Sequence, residues 1–431
     1  MNSKTFAAQS ALTSLALSAL LAACGGERMS LGTNDLERQP EVALCGDGTV
    51  HGDVEIVRQR DLDSLLGCEV IDGDVLILQP PDSDEELDLA SLATVREVTG
   101  DLTLDQLHSL TGLEALEQVG SLDIGKVTTE DLTGLSHLKR VLSEFPLNGS
   151  TGPINIHDCA NLRSLAGLER LNVWSDLNVA DNPALQTLAD LGGPRAVRQI
   201  TLTNLPSLHD LHGLELIHDV SRVIVMNTGV VTLDAFKLRN ADDLLLIANP
   251  ALTRLDGLDQ LSSVGTLGVY ENDALLSATL PRLQSAQMIS ITGNDSLIEL
   301  PGGGGSSGSG YLPPDADPSS ETGVSFAIDL YEVGNNARLT RITSPNLVSN
   351  VQQVSIWGNP ALSDLTLSHL QRADGLYIVD NSNLTALRAP ELERVGDLRV
   401  VNNPQLSTSA FENVQTFTRT MSGNADAMSA P

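Results

Sequence analysis

A nine-residue phrase returns along this chain at nearly constant spacing, and no other feature restricts the fold as tightly. Ile154-Asn-Ile-His-Asp-Cys-Ala-Asn-Leu162 aligns with Leu177-Asn-Val-Ala-Asp-Asn-Pro-Ala-Leu185. The phrase recurs at Leu244 to Leu252, Leu267 to Leu275, Ile289 to Leu297, Val354 to Leu362, Leu376 to Leu384 and Leu398 to Leu406. One column within it reads Cys159, Asn182, Leu205, Thr228, Asn249, Asn272, Asn294, Asn336, Asn359, Asn381 and Asn403. Every step between neighbours in that column is nearly the same, except the one from Asn294 to Asn336. That step is one ordinary turn plus an insertion, and the Gly/Ser/Pro-rich stretch 301–323 supplies it. Earlier copies open at Gly52-Asp-Val, Gly73-Asp-Val, Gly100-Asp-Leu and Gly120-Ser-Leu. Roughly fourteen copies tile residues 45–420, with 421–431 left as a flexible tail.

Each copy opens with a period-2 alternation that reads as a strand, breaks at Asn-Pro or Asn-Asp, and continues through a leucine-rich arc. A unit of about 22 residues cannot close a core alone, so neighbours must stack and share one. Their strands then pair in parallel at about 4.8 Å. The expected fold is mainly β: a right-handed parallel β-helix or leucine-rich-repeat-like solenoid. In it the column Asn182, Asn249, Asn272, Asn294, Asn336, Asn359, Asn381 and Asn403 is structural. A buried amide at each turn bonds the backbone groups that the bend leaves unpaired, and successive amides bond one another.

The Gly-Asp-Leu strand starts, Asn turns and Leu-x-Gly-Leu arcs resemble the receptor L domain of insulin- and EGF-receptor ectodomains and related microbial surface proteins. That resemblance covers nearly all of residues 45–420 and implies a β-helix with a sheet-face binding mode. Receptor signalling does not carry over, since no cysteine-rich module or kinase follows and the copies run past a single L domain.

Residues 1–23 carry Lys4, an apolar run from Ala11 to Leu21 and then small residues, which is a secretory signal pattern. It ends at Leu21-Ala22-Ala23-Cys24, which resembles the lipobox of bacterial lipoproteins. The resemblance implies cleavage before Cys24, lipidation of its sulfur and anchoring without a transmembrane helix. Gly25 in place of Asp favours the outer membrane, and 24–44 reads as a lipidated tether. The expected location is therefore exported and lipid-anchored to the bacterial outer membrane, facing the cell surface.

Cys45 and Cys68 lie one period apart, so stacking brings them within disulfide reach. An exported chain meets an oxidising compartment, and the pair is expected to staple the first turns. Cys159 sits in the Asn column, where a buried inert thiol is expected.

With 25 basic against 56 acidic residues and a net charge of −31, the chain repels phosphate backbones, and no nucleic acid is expected as partner. Gly304-Gly-Ser-Ser-Gly308 matches the G-x-S-x-G nucleophile pattern but lacks the strand before it and the helix after. His209, His212 and His218 fall on an arc, and Asp82-Ser-Asp-Glu-Glu86 and Asp315-Ala-Asp317 read as solvated acidic loops. No metal site, cofactor or catalytic residue is expected. A polysaccharide-acting β-helix enzyme is the alternative class, and a passive spacer the third.

If side chains five and three before the Asn column point inward, those four and two before it point out. Two outward runs are then apolar: Ile224, Met226, Leu245, Ile247 and Tyr270, and Trp357, Tyr377, Val379 and Val401. With aromatics only 3% of the chain, their gathering there marks a contact surface for a protein or glycan at the cell envelope.

Overall fold

The computed structural model describes residues 45–425, apart from Gly46 and the segments 82–85, 143–151, 194–195, 301–327 and 345–348. The signal segment, Cys24, the tether, the insertion 301–323, the Gly304–Gly308 match, the Asp315–Asp317 loop and most of the 82–86 loop lie outside the described residues. So does 426–431.

The described chain winds as a parallel β-solenoid of about 15 turns of about 22 residues. Nineteen strands, one or two from each turn, form a single parallel sheet. Turn follows turn in register, as in Leu244 beside Leu267 and Ile289, and Ile247 beside Tyr270 and Thr292, with a shift between Val98 and Asp101 near the N-terminal end. The first two turns each contribute two short strands, Thr49–His51 with Val54–Ile56 and Val70–Asp72 with Val75–Leu78; in the third, Glu97–Asp105, a single strand spans both, and Arg140–Val141 with Pro153–His157 again form two. On the return arc of the C-terminal half, Glu299–Leu300, Arg341–Thr343, Asp364–Thr366 and Ala386–Arg388 add a second parallel sheet.

The alternation places side chains as their period requires. Leu244 and Leu246, Leu267 and Val269, and Leu376 and Ile378 are fully buried, and they line one continuous core. The leucine three positions after the column closes it from the turn: Leu185, Leu252, Leu275, Leu297, Leu339, Leu362, Leu384 and Leu406 are all buried. Each such side chain contributes about 1.5–3 kcal/mol on leaving water.

The column is a hydrogen-bond ladder. The Asn359 Oδ1 accepts from the Asn336 backbone N–H at 3.1 Å and from Asn336 Nδ2 at 3.2 Å. Its own Nδ2 donates to the Val333 carbonyl at 3.1 Å and to the Trp357 carbonyl at 3.0 Å. The same pattern joins Asn249, Asn272, Asn294, Asn336, Asn359, Asn381 and Asn403 without a gap, although 42 residues separate Asn294 from Asn336. Thr228 joins through its hydroxyl, 2.7 Å from Asn249 Oδ1, and Cys159 through its backbone N–H, 2.8 Å from Asn182 Oδ1. Asn424, which the repeat count places in the tail, is the last buried rung and accepts from the Asn403 N–H at 3.2 Å. With the strand Gln415–Ser422, it carries the solenoid past the expected end at residue 420.

A conformational signal accompanies the ladder. The residue just before each rung turns left-handed, with φ of 56° at Asp181, 50° at Ala248, 56° at Glu271 and 57° at Asn402, and Gly at 293, 358 and 423. One left-handed residue ends the strand and swings the next side chain inward. This explains why Asn, Asp and Gly, which tolerate that region, crowd the position.

Cys45 and Cys68 are joined, with Cα atoms 5.6 Å apart. Cys159 is free and buried, and burial pushes its thiol up to about 11, so no reactive thiolate forms near neutrality.

Candidate functional site

The outward face of the large sheet carries three columns of side chains, at six, four and two positions before each rung. Three aromatics stand there, and each lies across a glycine. A Cβ at Gly268 would collide with the Tyr270 ring, and one at Gly334 with the Trp357 indole. One at Gly375 would meet the Tyr377 hydroxyl at 2.8 Å. Glycine in a strand interior weakens the strand unless something must approach the backbone closely, and here an aromatic ring does.

Polar neighbours fix the rings. The Trp357 indole N–H donates to Glu332 Oε1 at 3.0 Å, and Ser290 Oγ donates to Glu332 Oε2 at 2.8 Å. The Tyr270 hydroxyl bonds Ser290; burial raises its phenol above the usual range despite that bond. Tyr270, Ser290, Glu332 and Trp357 thus form one chain of contacts across four neighbouring turns. Farther along, the Tyr377 hydroxyl donates to Asp397 Oδ2 at 3.3 Å, and Arg399 lies 5.4 Å from the Tyr377 ring centre. Burial raises the Asp397 carboxyl, but bonds from Thr418 and Arg399 together hold it below the usual range.

Met226, Tyr270, Trp357, Tyr377, Val379 and Val401 are partly exposed on this face. Ile224, Leu245 and Ile247 are not: they face away from the core yet retain only 5%, 6% and 7% of their surface. An outward side chain has neighbours along its strand and across both adjacent strands, and Arg222 and Asp243, ion-paired at 2.9 Å, stand two positions before Ile224 and Leu245 on the same face. These three offer a partner little area. The aromatics are also less concentrated outside than the column reading implied: Trp174, Tyr331, Phe236 and Phe411 are buried in the core. The Trp174 indole N–H is satisfied by the Gly192 carbonyl at 3.1 Å.

Two features escape the column reading. Phe417 on the last strand is 74% exposed and carries Arg394 at 4.7 Å over its ring. Near the other end, His157 sits between Asp123 and Asp158, each 3.0 Å from a ring nitrogen. His157 stands two before Cys159, an outward position by the repeat itself, but its partner Asp123 lies on an earlier turn that the nine-residue phrase does not reach. The His209, His212 and His218 arc holds ordinary contacts: His212 Nδ1 lies 2.8 Å from Glu215 and His218 Nδ1 3.2 Å from the Lys237 carbonyl.

The bond to Asp123 raises His157, partial burial opposes, and Asp158 adds to the rise, bringing it to about 9. A folded value above the usual 6.5 stabilises fully below about pH 6.5 and is lost as the pH rises through about 9. Unfolding free energy should therefore fall across that window, and His157→Gln should flatten the fall. Parallel urea titrations of both proteins at pH 6 and 9 measure this; equal pH dependence would show that the clamp contributes nothing.

No family model matches the chain, and no curated protein matches it. A solved structure titled as a TLR13–ssRNA13 complex is similar over 89% of this chain and 86% of that one, at 13% identity and a TM-score of 0.17. A score that low carries no argument about either fold or ligand. Among the described residues no helix is long and apolar enough to cross a membrane. On its own geometry the chain is a parallel β-solenoid of leucine-rich, asparagine-laddered turns, and the receptor L domain likeness stays a likeness of pattern.

Proposed function

We propose that the chain is an exported, lipid-anchored, non-catalytic protein of the bacterial outer membrane that binds a ligand on the outward face of its sheet. One observation carries the reading: Tyr270, Trp357 and Tyr377 lie on glycines and are held there by Ser290, Glu332 and Asp397. Such rings are ordered before any ligand arrives, which lowers the entropic cost of binding. A spacer needs no such surface. The anchor rests on the Leu21-Ala-Ala-Cys24 likeness, and Cys24→Ser should release the protein from detergent-extracted membranes into the soluble fraction or leave an uncleaved precursor.

The chain has two tryptophans, one in the core and one on the proposed face. In Trp174→Phe, Trp357 becomes the sole tryptophan reporter. Titrating that variant with separated protein and glycan fractions of the envelope should shift or quench Trp357 emission saturably. A flat response to every fraction would overturn the binding-face reading and leave the spacer.

A further inference from the structure

Resting on that reading, the geometry points to a non-anionic glycan as the ligand, held between Tyr270 and Trp357 over Thr292 and Glu332. In register, Tyr270 stands beside Thr292, Thr292 beside Gly334, and Gly334 beside Trp357. Two ring-bearing positions are thus separated by three strand spacings, roughly 14 Å, with only short side chains in that column between them. Trp357 leans over Gly334 and Tyr270 over Gly268, so the open floor between the rings is Thr292 with Glu332 beside it, while Ser290 lies buried beneath and bonds both Tyr270 and Glu332.

Each element suits a sugar. A ring lying across the backbone presents its other face, which is electron-rich and matches the C–H face of a pyranose. Each Glu332 oxygen accepts one hydrogen bond from the protein, and a carboxylate oxygen has capacity for a second. A sugar hydroxyl can supply it. A peptide has less to gain. An extended segment binds a sheet mainly by main-chain bonds at an edge, whereas here the strands on both sides are already paired across the whole patch.

Charge narrows the class. The chain carries a net −31, and the floor of the notch holds a carboxylate. Arg399, on the same face, is committed to Asp397 at 2.9 Å and to the Tyr377 ring. A uronate or sulfated sugar would meet repulsion with that cation already engaged, while neutral or amino-bearing sugars would not.

The test is an immobilised panel: a neutral β-glucan, a mannan, chitosan, polygalacturonate and heparin, probed with the acyl-free domain. At least one non-anionic member should retain the protein, and its soluble oligosaccharides should compete, while polygalacturonate and heparin do not. Trp357→Ala and Tyr270→Ala should each weaken retention at least tenfold with the thermal midpoint nearly unchanged. Trp357→Phe should restore part of it, and Phe417→Ala, at an exposed aromatic off the face, should leave it intact. Retention by the anionic members, or retention of the glucan or mannan that survives both alanine changes, would overturn the inference. If protein fractions alone perturb Trp357 fluorescence and no panel member binds, the glycan fails while the binding face stands.

Discussion

Asn359→Ala is expected to cost about 3–5 kcal/mol of unfolding free energy, out of proportion to the few atoms removed. The substitution orphans the buried Asn336 backbone N–H and removes the bonds that the Asn359 amide gives to the Val333 and Trp357 carbonyls and to Asn381 Oδ1, while Asn336 Nδ2 keeps the Ile291 carbonyl and the Trp357 carbonyl keeps the Asn335 N–H. All lie where water does not reach, and each buried group left unpaired costs about 1–3 kcal/mol before relaxation. Asn359→Asp keeps the shape and the acceptor but loses both donors and places a carboxyl in the core. Burial raises such a carboxyl, so its harm should grow as the pH climbs above about 4. Asn359→Leu should be milder than alanine, because Leu205 already occupies the same column fully buried. Urea unfolding of the three variants checks the order; an alanine variant within about 1 kcal/mol of wild type would mean the ladder is ornament rather than support.

Gly257→Ala should be comparably harmful for a different reason. The residue holds φ of 102° on the arc, and an added Cβ would collide with the Leu233 carbonyl of the preceding turn. Neither the strained φ nor a backbone neighbour can give way cheaply, and the expected cost is at least about 3 kcal/mol. Since each turn of a solenoid touches only its neighbours, damage in the middle should also uncouple the halves. Hydrogen exchange should show the turns around 233–257 opening well before both ends. A single cooperative transition of wild-type stability would contradict the packing described for this arc.

The fold is unusually readable from the chain because its determinants are local and repeated. Alternation names the inward pairs, such as Leu244 with Leu246, and the Asn column names the turns. Crowding is what sequence does not reveal. Ile224, Leu245 and Ile247 have the same pattern as Met226, and only packing within the sheet distinguishes them. Nor does a lone glycine announce its tenant: Gly334 lies a full turn away from the indole that covers it. The His157 clamp is hidden because Asp123 lies 34 residues away on a turn that the nine-residue phrase does not reach. Asn424 is hidden because the strand before it, Gln415–Ser422, is mostly exposed and lacks the apolar alternation of the other copies.

The ladder also bears on how such a chain can change length over generations. Its rungs ask only that each turn bring one amide back to the same angle. They are indifferent to the route between, which is why the short step from Thr228 to Asn249 and the long one from Asn294 to Asn336 close the same bond. A duplication or loss of one whole copy leaves every surviving rung with a partner, whereas a slip within the nine-residue phrase breaks two. Growth by whole turns would move Tyr270 and Trp357 apart in increments of one strand spacing, about 4.8 Å. The reach of the face is therefore a heritable ruler graduated in turns.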